Sequence, residues 1–147
     1  MFLWDSPGAS RLTTRTDKEG RFIFSGIQNG QVWLLITADG FAPELQKLET
    51  TTNSVSISLQ RANPVLAVVH DASGHPLANA LFQVTSWKGD SWLQHFGYSD
   101  AEGKFRWDSA PADPVTFNIS YPGLRGLQDV PLSPGNAPTV LRLERQN

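Results

Sequence analysis

The chain of 147 residues contains no cysteine and a single methionine. Without cysteine there is no disulfide framework, no thiolate metal site and no cysteine nucleophile. Long hydrophobic runs are missing too. The longest, Val32-Trp33-Leu34-Leu35-Ile36, falls far short of the roughly 20 residues that a membrane-crossing helix requires, so no membrane insertion is expected. An excess of positive charge is also absent. Twelve Lys and Arg face fourteen Asp and Glu, a net charge of -2, which leaves no summed field to neutralise phosphates and argues against nucleic acid as a partner. Met1-Phe2-Leu3-Trp4 runs directly into Asp5, without the basic and apolar stretches of a signal peptide, so any export signal is expected outside this chain. What remains is a globular composition. The hydrophobic share is 39%, and 12 Gly with 10 Pro stay below the level of low-complexity sequence.

Against these absences stands an internal duplication. Thr16-Asp17-Lys18-Glu19-Gly20-Arg21-Phe22-Ile23-Phe24 recurs as Ser99-Asp100-Ala101-Glu102-Gly103-Lys104-Phe105-Arg106-Trp107, a shift of 83 positions. The same shift superposes Trp4 on Trp87, Val32 on Val115, Leu34 on Phe117, Ile36 on Ile119 and Gly40 on Gly123. One further residue of offset places Ile57-Ser58-Leu59 on Leu141-Arg142-Leu143. Apolar positions kept in register while their identities change mark a true repeat. Two domains follow, residues 1–62 and 63–147, with the boundary near Ala62-Asn63-Pro64.

Inside each unit the apolar period is two. Phe22/Phe24, Val32/Leu34/Ile36, Val55/Ile57/Leu59, Phe105/Trp107 and Val115/Phe117/Ile119 alternate with polar or small residues, as half-buried strands do. No window carries an apolar stripe of helical spacing. In the second unit strands are expected over residues 65–70, 80–87, 92–98, 104–107, 115–120, 127–131 and 139–144. Asp-, Gly- and Pro-rich turns separate them. Short strands at this density describe an all-β fold of two immunoglobulin-like antiparallel sandwiches in tandem.

Thr16-Asp17-x-x-Gly20-x-Phe22-x-Phe24, followed by Gly26-Ile27-x-x-Gly30-x-Val32-x-Leu34-x-Ile36-x-Ala38-x-Gly40-Phe41, resembles the carboxypeptidase regulatory-like domain. In the second unit Val65-x-Ala67-Val68-Val69-x-Asp71-x-x-Gly74-x-Pro76-Leu77-x-x-Ala80 is similar to that family's opening strand and hairpin. The resemblance implies a transthyretin-like β-sandwich. It also implies a non-catalytic structural or interaction module of a larger exported protein, periplasmic or at the cell surface, with a protein or polysaccharide as partner and no cofactor. Two departures stand out. The first unit has no counterpart of residues 65–80, and the second replaces the Gly-Ile-x-x-Gly lead-in with Ser109-Ala110-Pro111-Ala112-Asp113-Pro114.

The residues that could carry chemistry have bland readings beside the sharp ones. Asp17/Glu19 and Asp100/Glu102 offer two carboxylates per turn, too few for a calcium ion that takes 6–8 oxygens. Turn geometry accounts for them: the Asp side chain accepts from amides of its own turn, and Gly20 and Gly103 supply positive φ. No metal site is expected. Of His70, His75 and His95, none precedes a Glu by three residues as the zinc pair of a metallocarboxypeptidase requires. No Ser lies in a Gly-x-Ser-x-Gly elbow, and no Ser/His/Asp order stands out, so catalytic residues are absent and an enzyme is not expected.

The five tryptophans carry the sharper alternative. Trp33 and Leu35 lie opposite the inward Val32, Leu34 and Ile36 and are expected outside. Trp87 and Trp92 bracket Lys88-Gly89-Asp90-Ser91 and are expected across from each other on a hairpin. As exposed rings, Trp33, Trp87 and Trp92 would form a carbohydrate platform; as a cross-strand clasp they would be structural. A further alternative is an accessory domain of an enzyme on the same longer chain.

The missing counterpart of residues 65–80 carries its own expectation. With Trp4 on Trp87, Met1 falls opposite Val84, so the first sandwich lacks its N-terminal strand and leaves an edge unpaired. Either the chain is a piece of a longer protein, or the open edge of the first domain pairs with another chain, a homo-oligomer included.

Overall fold

The computed structural model describes residues 2–4 through their backbone, and residues 12–51 and 54–146 with their side chains. The chain is all-β and divides into two compact units, Met1–Gln60 and Arg61–Asn147.

In the second unit, alternating apolar residues build two sheets around one core. The strands are β5 (Val65–Asp71), β6 (Leu81–Trp87), β7 (Phe96–Tyr98), β8 (Lys104–Trp107), β9 (Val115–Ser120), β10 (Leu124–Arg125), β11 (Leu127–Leu132) and β12 (Thr139–Arg145). One sheet has the order β11-β9-β6-β7 and the other β10-β12-β5-β8. Pairing is antiparallel except between β5 and β12, which run parallel. Phe82 of β6 stacks on Phe105 of β8 with ring centroids 4.2 Å apart. Phe117 of β9 meets both Phe105 and Trp107 edge to face, at 5.9 and 6.1 Å. These aromatic pairs join the sheets and contribute beyond their buried area.

In the first unit the strands are β1 (Phe2–Trp4), β2 (Leu12–Thr13), β3 (Gln31–Ile36) and β4 (Glu44–Glu49), in one sheet of order β2-β1-β3-β4. Shifted by 83, β4 falls on β11, β3 overlaps β9, and β1 falls within the end of β6. The order is therefore the one found in the β11-β9-β6-β7 sheet. The pair Ile36↔Glu44 has its equivalent in Leu127↔Ile119.

The other sheet differs. Residues 22–24 and 55–59, expected as strands from their alternation, are in no ladder. Their equivalents are β8 and β12, and in the second unit β5 lies between those two and bonds to both. Among the described residues of the first unit no strand takes that central place, so the flanking segments have no neighbour there to bond with. A remnant of the outer pairing persists: the Ala42 amide donates to the Gln60 carbonyl at 2.8 Å, at the positions equivalent to the Arg125↔Glu144 pair.

The two equivalent turns make a test of this difference. Gly20 and Gly103 have φ of 77° and 73°, as their turn type requires. A Cβ on Gly103 would collide with the Val69 carbonyl of β5, whereas one on Gly20 would meet none of the described residues. Gly20→Ala should therefore cost only the backbone strain, about 1 kcal/mol. Gly103→Ala adds a backbone clash and should cost about 2–4 kcal/mol. Denaturant titration of both variants checks the order; equal losses would contradict it.

Candidate functional site

Among the described residues the Asp-x-x-Gly signature occurs at Asp17, Asp71 and Asp100, and these three copies fold alike. The Asp17 Oδ1 accepts from the amides of Glu19 (3.0 Å) and Arg21 (2.9 Å). The Asp71 Oδ1 does so from Ser73 (2.8 Å) and His75 (2.9 Å), and the Asp100 Oδ1 from Glu102 (3.0 Å) and Lys104 (2.8 Å). The amides of Gly20, Gly74 and Gly103 each close the turn on the carbonyl of its Asp at 3.0 Å. One oxygen of each of Asp17 and Asp100, half of each carboxylate pair considered for a cation, is thus committed to backbone amides. The remaining Asp17 oxygen pairs with Arg21 Nε at 3.0 Å, and Glu19 with Arg21 Nη2 at 3.3 Å. Among the described residues no three His, Asp or Glu converge on a common point.

In the turns of Asp17 and Asp71 the amides lower the proton affinity of the carboxyl. The Arg21 amide foremost, helped by the Arg21 guanidinium and the Glu19 amide, holds Asp17 below its ordinary value of 3.8 against a partial loss of hydration. The His75 amide foremost does the same for Asp71. His75 Nδ1 also lies 3.3 Å from Asp71 Oδ2, with Ser73 in the same turn. The two sister turns have the same backbone geometry without a histidine, so the Asp71–His75 contact is explained by the turn.

The tryptophans divide. Trp87 is 1% and Trp92 9% exposed, so neither presents a ring face to a sugar; their expected role as an exposed platform is corrected by burial. Nor does Trp92 lie opposite Trp87. Lys88 and Gly89, with φ of 51° and 81°, form a two-residue turn that sets Asp90 against Trp87. Two residues of β6 then oppose four on the return, and β7 begins only at Phe96. The Trp87 Nε1 is a buried donor with no hydrogen-bond acceptor; the Lys88 ammonium sits 5.2 Å from its ring centroid. Trp33 is half-buried and faces its cross-strand neighbour Lys47, whose ammonium is 5.8 Å from the ring. Leu35, expected outside with it, is buried and pairs across the ladder with buried Leu45. An apolar partner at the opposing register position is the signal in the sequence that was missed.

Two surfaces are more open than those rings. On β7, Phe96 and Tyr98 are 65% and 58% exposed and meet edge to face at 6.3 Å. In the first unit a cleft of about 720 Å³ lies between residues 20–24 and 54–59. Its floor is Val32, Leu34 and Ile36 of β3, and Phe22, Phe24 and Ile57 are half-buried along it. Arg21 and Glu49 are the titratable groups that line it.

No family model matches the chain, and no curated protein matches it. Among solved structures the chain is similar to that of the streptococcal ancillary pilin, at 15% identity and a TM-score of 0.47. The match covers 82% of this chain and 43% of that one, so the chain spans less than half the pilin's length.

Removing Trp92 should act on stability: Trp92→Ala is expected to cost about 3–5 kcal/mol, the usual effect of deleting a buried aromatic, read by chemical denaturation. An unchanged midpoint would contradict its place in the core. A second expectation concerns His95, which is half-buried and stacks on Trp107 with centroids 4.2 Å apart. Loss of hydration lowers its proton affinity below the ordinary value of 6.5. The unfolded chain therefore binds the proton first as pH falls. The stability linked to this group is complete above pH 6.5 and is lost as pH drops through the lower folded value. Thermal melts between pH 8 and 5 should show this loss, and His95→Phe should flatten it.

Proposed function

We propose that the chain is a non-catalytic interaction module, a tandem pair of carboxypeptidase regulatory-like units within a larger exported protein that acts at the cell surface. The observation that carries this reading is the use made of the chemistry-bearing residues. Asp17, Asp71 and Asp100 each hold backbone amides of their own turns, the work of a scaffold. The open surfaces are an apolar cleft and an aromatic strand edge, which suit binding. Of the three residues considered for carbohydrate, Trp33 alone keeps a partly open ring, and the scaffold reading is preferred to that alternative.

The tightest catalytic-looking group, Asp71, Ser73 and His75, supplies the test. Purified protein is expected to hydrolyse ester, peptide and glycoside substrates no faster than its heat-denatured control. Asp71→Ala is expected to lower the Tm of the second unit by loosening the turn. Turnover abolished by Ser73→Ala or His75→Ala, with the Tm unmoved, would overturn the reading.

A further inference from the structure

The cleft of the first unit has the shape of a missing strand, and the second unit shows what fills such a place. There β5 lies between β8, antiparallel, and β12, parallel, and sends Val65, Ala67 and Val69 into the core, all buried. The residues that flank it are sealed: Phe105 is 2%, Trp107 8%, Leu141 8% and Leu143 0% exposed. Their equivalents Phe22, Phe24, Ile57 and Leu59 are all half-exposed and line the cleft. Positions on β3 itself show no such difference, since Val32 and Leu34 are as buried as Val115 and Phe117 of β9.

Two polar details agree. Ser99 is buried, its hydroxyl donating to the Leu77 carbonyl at 2.6 Å and accepting from the Ala80 amide at 2.9 Å. Both partners belong to the connection between β5 and β6. The equivalent Thr16 is exposed at the cleft. Likewise Gly103 is roofed by the Val69 carbonyl of β5, while the space above Gly20 is open.

We infer that the cleft of the first unit accepts an extended strand of alternating small or β-branched apolar residues, docked between residues 21–24 and 55–59 as β5 docks between β8 and β12. This names the class of partner for the interaction module proposed above and rests on that reading. In this reading the strand is supplied by a partner polypeptide. A second copy is not its source, because β5 is already paired on both edges and withdrawing it would open the core of the second unit. Main-chain hydrogen bonds would supply affinity. The alternate side chains, entering over Val32 and Leu34, would supply selectivity.

The probe is a labelled synthetic peptide of residues 63–72, added to the full chain and compared with the same peptide carrying Ala67→Asp and Val69→Asp. Binding is expected to saturate for the first and to be at least tenfold weaker for the second, with amide exchange slowed at residues 21–24 and 55–59. Gly20→Ala should weaken binding about tenfold, since its Cβ would occupy the place of the incoming carbonyl; Ile57→Asp, at a half-exposed side chain, gives a second disruption. Melts of each variant alone separate lost binding from lost fold. No saturable binding, protection confined to the second unit, or affinity indifferent to both substitutions would overturn the inference. So would a dimer seen by light scattering without peptide that shows the same protection, because the occupant would then be a second copy. Failure of the peptide leaves the module's aromatic β7 edge as an interaction surface, whereas only the turnover assay tests the absence of catalysis.

Discussion

Val65, Ala67 and Val69 of β5 enter the core while both edges of the strand are bonded, to β8 on one side and β12 on the other. A strand in that position meets two obligations at once, burial of apolar side chains and satisfaction of backbone donors and acceptors. Where it is present, the flanking residues are buried and their ladders form. Where no such strand is found among the described residues, in the first unit, the same sequence pattern gives half-exposed side chains and segments in no ladder. The difference between the two halves of the chain comes down to this one strand.

The second constraint is local. An Asp whose carboxylate takes two amides of its own turn, followed by a Gly at positive φ, closes the chain within five residues. Because every bond of this motif lies inside the turn, it forms equally in a complete sandwich and an incomplete one. It forms in the first unit, where no adjoining strand is found among the described residues, and it commits one oxygen of each Asp to backbone amides.

Legibility follows from range. The strands of the second unit were readable because alternation matches the pleat: residues 104–107 and 115–120 form β8 and β9 as expected, and the others agree within a residue or two. The exception is the stretch from Trp92, where β7 begins at Phe96 because the tight Lys88-Gly89 turn and the bulge behind it use up the intervening residues. The alternation at Phe22/Phe24 and Val55/Ile57/Leu59 was equally clear, yet no ladder forms, since pairing depends on a neighbour that the local pattern does not reveal. Leu35 and the tryptophans show the same limit: whether a ring or a leucine is open depends on what lies across the sheet.

By itself, then, the sequence determined the all-β class, the turns at Asp17, Asp71 and Asp100 and the inward faces of Val32/Leu34/Ile36, Phe105/Trp107 and Val115/Phe117/Ile119, all properties of near neighbours along the chain, and it displayed the repeat at a shift of 83 positions. Only the tertiary structure decided that Trp87 and Trp92 are buried, that His95 stacks on Trp107, and that the first unit carries an open apolar cleft. The physical reason is that burial and edge pairing are set by residues far apart in sequence, and in the first unit no described strand takes the place that β5 fills in the second.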